Sequence, residues 1–134
     1  MPANTSPIFK VGIDSGGVQF TSADTTTKKT LVTGNTSGNN AGTLVEGIYV
    51  SSNDTAAVNL AFYINDGSTD LYIGNVNIPI GSGYTTVVRV EALRTLCPDL
   101  GFLLVKSGHL LKVNCVATMT AAKTVDVVWQ GGPY

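Results

Sequence analysis

The chain has 134 residues, 8 basic and 9 acidic side chains, a net charge of −1 and one histidine. That balance excludes a phosphate-backbone binder, which needs a basic patch, and a lone histidine argues against the usual catalytic zinc set. Charged residues are only 13%, against roughly 25% in ordinary soluble domains, so Thr, Ser, Asn and Gly must cover much of the surface.

Residues 1–28 hold few apolar anchors and much turn chemistry. Ile8 to Ile13 is strand-like, Asp14-Ser15-Gly16-Gly17 is turn-rich, and Val18-Gln19-Phe20 precedes a polar run from Thr21 to Thr27. We read 1–28 as an extended N-terminal arm, with an edge strand and a long loop as the alternative. Residues 29–134 are read as one β-domain, of a size that can bury a core without staples.

Strand-type runs separated by breakers fill the rest. Lys29 to Thr33 is short, and 34–42 is a loop. Thr43 to Ser51 alternates, with Leu44, Ile48 and Val50 on one face and Glu46 interrupting it. Ala57 to Asn65 alternates cleanly, placing Val58, Leu60, Phe62 and Ile64 inward and Asn59, Ala61 and Tyr63 outward. Asp66-Gly67-Ser68-Thr69 reads as a hairpin turn, and Asp70 to Ile78 as the returning strand. After the break at Pro79 to Gly83, Tyr84 to Val90 is predicted as a strand. Glu91 to Leu96 is predicted as one or two helical turns stopped by Pro98. Phe102 to Val105, His109 to Met119 and Lys123 to Gln130 complete the set. Leu111, Val113, Cys115 and Ala117 share an inward face in one strand, and Val125, Val127 and Trp129 in the other.

About eight short strands without a long helix predict an all-β antiparallel sandwich, jelly-roll-like, with an immunoglobulin-like arrangement or a barrel as alternatives. The loop at 34–42 suits a Greek-key crossing. No apolar run approaches the roughly 18–20 residues of a spanning helix. Met1 to Pro7 lacks the basic and apolar regions of a leader, so synthesis in a cytoplasm is expected. There, Cys97 and Cys115 are expected as reduced thiols.

Candidate chemistry is sparse. His109 has no nucleophile marked beside it. Asp66 and Asp70 flank Gly67 as in calcium loops, but turn chemistry accounts for them better. Glu46 and Glu91 lie far apart in sequence, and nothing in the chain says that they converge. Tyr49, Tyr63, Tyr72 and Tyr84 either line a sugar-stacking face or make ordinary cross-strand pairs. The expectation is a protein that is not an enzyme and uses no cofactor or metal, with its surplus apolar surface (43% hydrophobic residues) buried against copies of itself or a shell.

One ordered set of elements carries a family resemblance. It comprises Pro7-Ile8-Phe9 before a Thr-rich stretch, Leu31-Val32-Thr33-Gly34-Asn35, Gly47-Ile48-Tyr49-Val50, and Leu60 through Gly67. Gly74-Asn75-Val76-Asn77-Ile78-Pro79 and Trp129-Gln130-Gly131-Gly132-Pro133-Tyr134 complete it. In this order the chain resembles short all-β virion structural proteins of tailed bacteriophages. The resemblance implies capsid decoration: a cement protein on the outer head surface, bound to the major capsid protein lattice and to itself, commonly as a homotrimer. No membrane or nucleic-acid partner is implied. The arm would supply the contacts, through Pro7, Ile8, Phe9, Val11, Ile13, Val18 and Phe20. The alternative is a carbohydrate-binding or host-recognition β-sandwich module of the phage particle.

Overall fold

The computed structural model describes residues 14–36 and 42–133. The described strands are β1 (Asp14–Thr21), β2 (Lys29–Thr33), β3 (Gly42–Ser52), β4 (Val58–Asn65), β5 (Asp70–Ile78), β6 (Val90–Glu91), β7 (Leu103–Lys106), β8 (Leu110–Cys115) and β9 (Thr124–Pro133). A single-turn helix, α1 (Ala92–Leu96), follows β6 directly.

The strands form two antiparallel sheets. The first runs β1-β9-β3-β6, with β7 also on β3, and the second runs β2-β8-β4-β5. The pairing is nested: β1 with β9, β2 with β8, β3 with β6 and β7, β4 with β5. One long antiparallel ribbon, rolled so that successive pairs fall in alternate sheets, is the jelly-roll arrangement. It agrees with the first of the expected sandwich types.

The core lies between the sheets, and alternation builds it. Val58, Leu60 and Phe62 of β4 and Val125, Val127 and Trp129 of β9 are buried, as period-two patterning requires. Leu111, Val113 and Cys115 of β8 join them, but Ala117 lies past the strand end and is exposed. In the β4–β5 turn, Gly67 has φ 102°, a conformation that favours glycine. Asp66 Oδ1 accepts hydrogen bonds from the backbone N–H groups of Ser68 and Thr69 at 3.1 and 2.8 Å.

In β3 the inward face differs from the expectation. The β3–β9 register shifts between Val45 and Gly47, leaving Glu46 as an inserted residue. A bulge of this kind reverses which residues face inward. Val45, Ile48 and Val50 therefore share the core, and Leu44 turns outward.

The expectation of an arm over 1–28 is corrected for its described part. Asp14–Thr21 pairs along its whole length with β9, from Asp14 opposite Gly131 to Thr21 opposite Thr124. Phe20 is fully buried in the core, and Val18 packs against it. Neither is an arm contact. Glycine explains why so weakly apolar a segment belongs to the sheet: a Cβ on Gly16 would come within 2.9 Å of the Trp129 indole nitrogen, so the missing side chain makes room for the ring. Residues 22–28 then cross to the second sheet, where Asn114 Nδ2 donates to Thr26 O at 3.0 Å. Pro7, Ile8, Phe9, Val11 and Ile13 lie outside the described residues.

Tyr84 to Val90 is not a strand. Only Val90–Glu91 pairs with β3. The segment 79–89 is a series of turns closed by backbone bonds from Ser82 N to Pro79 O, Tyr84 N to Gly81 O and Gly83 N to Val87 O. Its Thr and Val residues mimic a strand pattern while the glycines set the path.

Candidate functional site, the outer face of the first sheet

Outward residues of the first sheet fall into rows across its strands. One row is Glu91 (β6), Tyr49 (β3), Val128 (β9) and Gly17 (β1). The next is Ser51, Asp126 and Gln19. Farther along β3, Leu44 stands between Leu104 of β7 and Gly132 of β9.

Tyr49 is the centre of this face. Its hydroxyl accepts a hydrogen bond from Gln130 Nε2 at 3.1 Å. The Arg89 guanidinium sits 4.1 Å from its ring centroid, a cation–π stack. The turns at 79–89 dock beside it through Ser52 N, which donates to Ser82 O at 2.9 Å. Gly83 permits that approach: its φ is 81° and a Cβ there would lie 2.6 Å from Ser51 Oγ. Tyr84 then reaches Asp126, its hydroxyl donating to Oδ2 at 3.1 Å, while Gln19 Nε2 donates to Oδ1 at 2.7 Å.

Two depressions flank Tyr49. One, of about 570 Å³, is bordered by Glu46, Tyr49, Glu91, Arg94, Asp99 and Leu100. The other, of about 220 Å³, is bordered by Tyr49, Ser51, Tyr84, Arg89, Asp126 and Val128. The first gathers the carboxylates of Glu46, Glu91 and Asp99 with the Arg94 side chain; the second gathers the Arg89 guanidinium with the Asp126 carboxylate, which Tyr84 and Gln19 already engage. Large apolar side chains rim both, with Leu100 65%, Tyr84 54% and Val128 47% exposed.

Glu46 and Glu91 thus meet at one depression, which nothing in the sequence indicated. They are not poised as an acid/base pair. Glu91 is committed through both oxygens: Oε1 accepts from Ile48 N at 2.9 Å and Oε2 from Arg94 N at 2.7 Å. One carboxylate caps α1 and satisfies the backbone beside the β3 bulge.

The other sequence candidates are dispersed. His109 is half-buried in the β7–β8 turn, its backbone bonded to Lys106 O and Gly34 N. Both cysteines are free. Cys97 borders the carboxylate-rich depression, and burial pushes its thiol up. Cys115 is buried in β8, and burial first, with Asp24 and Asp54 adding, pushes it up to about 11. A thiolate is the reactive form, so neither environment activates sulfur. Among the described residues, no group of three or more His, Cys, Asp or Glu is placed to hold a metal ion. No helix among them is long and apolar enough to cross a membrane.

The four tyrosines do not share a face. Tyr63 and Tyr72 lie on the second sheet, edge to face at 5.8 Å, with Lys28 Nζ 4.0 Å above the Tyr63 ring. Tyr49 lies on the first sheet, and Tyr84 in the turns docked beside it. Beside Tyr63, Asp70 accepts from Asn65 Nδ2 at 2.7 Å and Lys28 Nζ at 2.9 Å, and Lys112 stands at 3.5 Å. The Asn65 bond first, then Lys28, holds the Asp70 carboxyl down to about 2. This is a turn-and-ion-pair cluster with its oxygens engaged.

No protein-family model and no curated protein sequence matches the chain.

Proposed function

We propose that this chain is a structural virion protein that decorates and reinforces the outer surface of a phage capsid through contacts with the shell and with copies of itself. It would be made in the host cytoplasm and added to the assembled head. The resemblance in element order supplies the virion setting and the trimeric expectation. One observation carries the associating role: the outer face of the first sheet gathers exposed Tyr84, Leu100 and Val128 around Tyr49. Contiguous exposed apolar surface with a polar rim marks an interaction site. Each 100 Å² of it removed from water contributes about 2.5 kcal/mol before association costs. Binding only the assembled shell stabilises that shell by mass action.

The experiment is to mix purified protein with undecorated heads and follow binding and heat resistance of the particles. Saturable binding that raises the temperature of head rupture is expected. Heads that neither bind the protein nor gain resistance remove this function. Retained binding to glycans on an array, lost in Tyr72→Ala or Tyr84→Ala, would transfer the role to sugar recognition instead.

A further inference from the structure

We infer that the two depressions flanking Tyr49 are the halves of one self-complementary contact, so that this face binds a second copy of the chain. Arg89 of each copy would enter the other's carboxylate-rich depression beside Asp99. The inference rests on the self-associating role proposed above and gives it a surface and a symmetry.

Charge complementarity chooses the occupant. Arg89 is held by the Tyr49 ring at 4.1 Å, but among the described residues it forms no ion pair, and neither does Asp99. A guanidinium fixed by stacking keeps its donor fork free for a carboxylate, which it fits in bidentate fashion. The chain carries the matching carboxylate on the same face, across Tyr49. Opposite charges on two sides of a shared wall are what a two-fold axis through that wall would superpose: residue i meets j, and j meets i. A two-fold pair satisfies both halves against one partner, whereas a ring of three would have to turn the two depressions of one face toward different neighbours.

The apolar rim matches in the same operation. Tyr84 and Val128 border the Arg89 side, and Leu100 and Pro98 the Asp99 side. Burying these around the ion pairs excludes water, the anatomy of a tyrosine- and arginine-centred hot spot. Size is adequate as well. Three strands of 8, 10 and 11 residues, with the short β6 and β7 along the other edge of β3, project on the order of 500 Å² at a strand spacing of about 4.8 Å, and the bordering 79–89 and 97–101 segments extend this toward the roughly 800 Å² per copy of a stable interface.

The test is a charge-swap cycle read by sedimentation equilibrium, with circular dichroism to check folding. Wild-type protein is expected to form a species of two chains. Arg89→Glu and Asp99→Arg should each weaken association about tenfold or more, and the double variant should restore it. A monomer at all concentrations, a trimer, or an assembly indifferent to both single reversals overturns the contact. Head binding measured on the same variants keeps the two ideas apart. Decoration by a protein that fails the swap cycle leaves the capsid role and removes this interface. A swap-sensitive dimer that ignores heads does the reverse.

Discussion

Glu91 and Ile48 are joined by a hydrogen bond from the Ile48 backbone N–H to Glu91 Oε1 at 2.9 Å, while Glu91 Oε2 caps α1 through Arg94 N at 2.7 Å. Ile48 is fully buried just past the β3 bulge, so this donor depends on a side chain 43 residues away.

Glu91→Ala should therefore cost more than a cap. Loss of the cap contributes about 1 kcal/mol, and the orphaned N–H about 1–2 kcal/mol more. Glu91→Gln keeps an acceptor for one donor and should cost about half as much. Chemical denaturation midpoints of the two variants decide it. Equal, negligible losses would show that water replaces the carboxylate.

Asp54 is predicted to be a structural carboxylate. It is 2% exposed and accepts from Thr120 Oγ1 at 2.6 Å, Ala56 N at 2.9 Å and Thr120 N at 3.1 Å. Burial alone would raise its pKa; the hydrogen bonds, led by Thr120, outweigh that and lower it. Asp54→Ala should cost about 3 kcal/mol, since several donors lose their acceptor together.

Acid should destabilise the fold in a defined window. Asp54 and Asp70 both have folded-state pKa values below the ordinary 3.8, with Asp70 at about 2. A depressed carboxylate contributes stability that is present above its unfolded value and lost as pH falls through the folded value. Stability should thus be level above about pH 5 and fall between about pH 4 and 2. Asp70→Asn should flatten part of that slope in thermal melts taken across the range.

Much of this fold was legible. Val58 to Asn65 reads directly as a strand from its alternation, with Val58, Leu60 and Phe62 buried, although Ala61, expected outward, is buried in the middle of its sheet as well. β1 did not, because its inward positions include Gly16, whose role is to be absent beneath Trp129; the apolar signal is withheld where the packing needs space. In β3, Ile48 and Val50 face inward as expected, and Leu44 does not, because Glu46 bulges out of register between them. The 79–89 turns passed for a strand on Thr and Val content. The candidate site was the least visible part: Tyr49, Glu91 and Val128 form a row only through strand pairing, and no local pattern encodes which strands pair.

Gly131 should tolerate no side chain. A Cβ there would overlap the Leu44 carbonyl oxygen of the neighbouring strand. Gly131→Ala must displace backbone, at a cost of about 3 kcal/mol and on the order of 10 °C in melting temperature. A calorimetric scan of this one variant suffices.

Thiol chemistry should separate the two cysteines. Cys97 is half-buried and Cys115 is buried with its pKa at about 11. With a thiol reagent at pH 8, one slow reaction at Cys97 is expected in native protein, and both should react quickly after unfolding. Fast labelling of Cys115 in native protein would contradict its position in β8.

Nested pairing also dictates how this chain is made. β9 is the neighbour of both β1 and β3, yet β1 and β9 are on the order of a hundred residues apart in the order of synthesis. Until the last strand leaves the ribosome, two long edges wait unpaired, with their hydrogen-bonding groups open to any extended segment. Ribosome-bound intermediates would be sticky, folding slow and topology-limited, and overexpression at low temperature should raise the yield of soluble material.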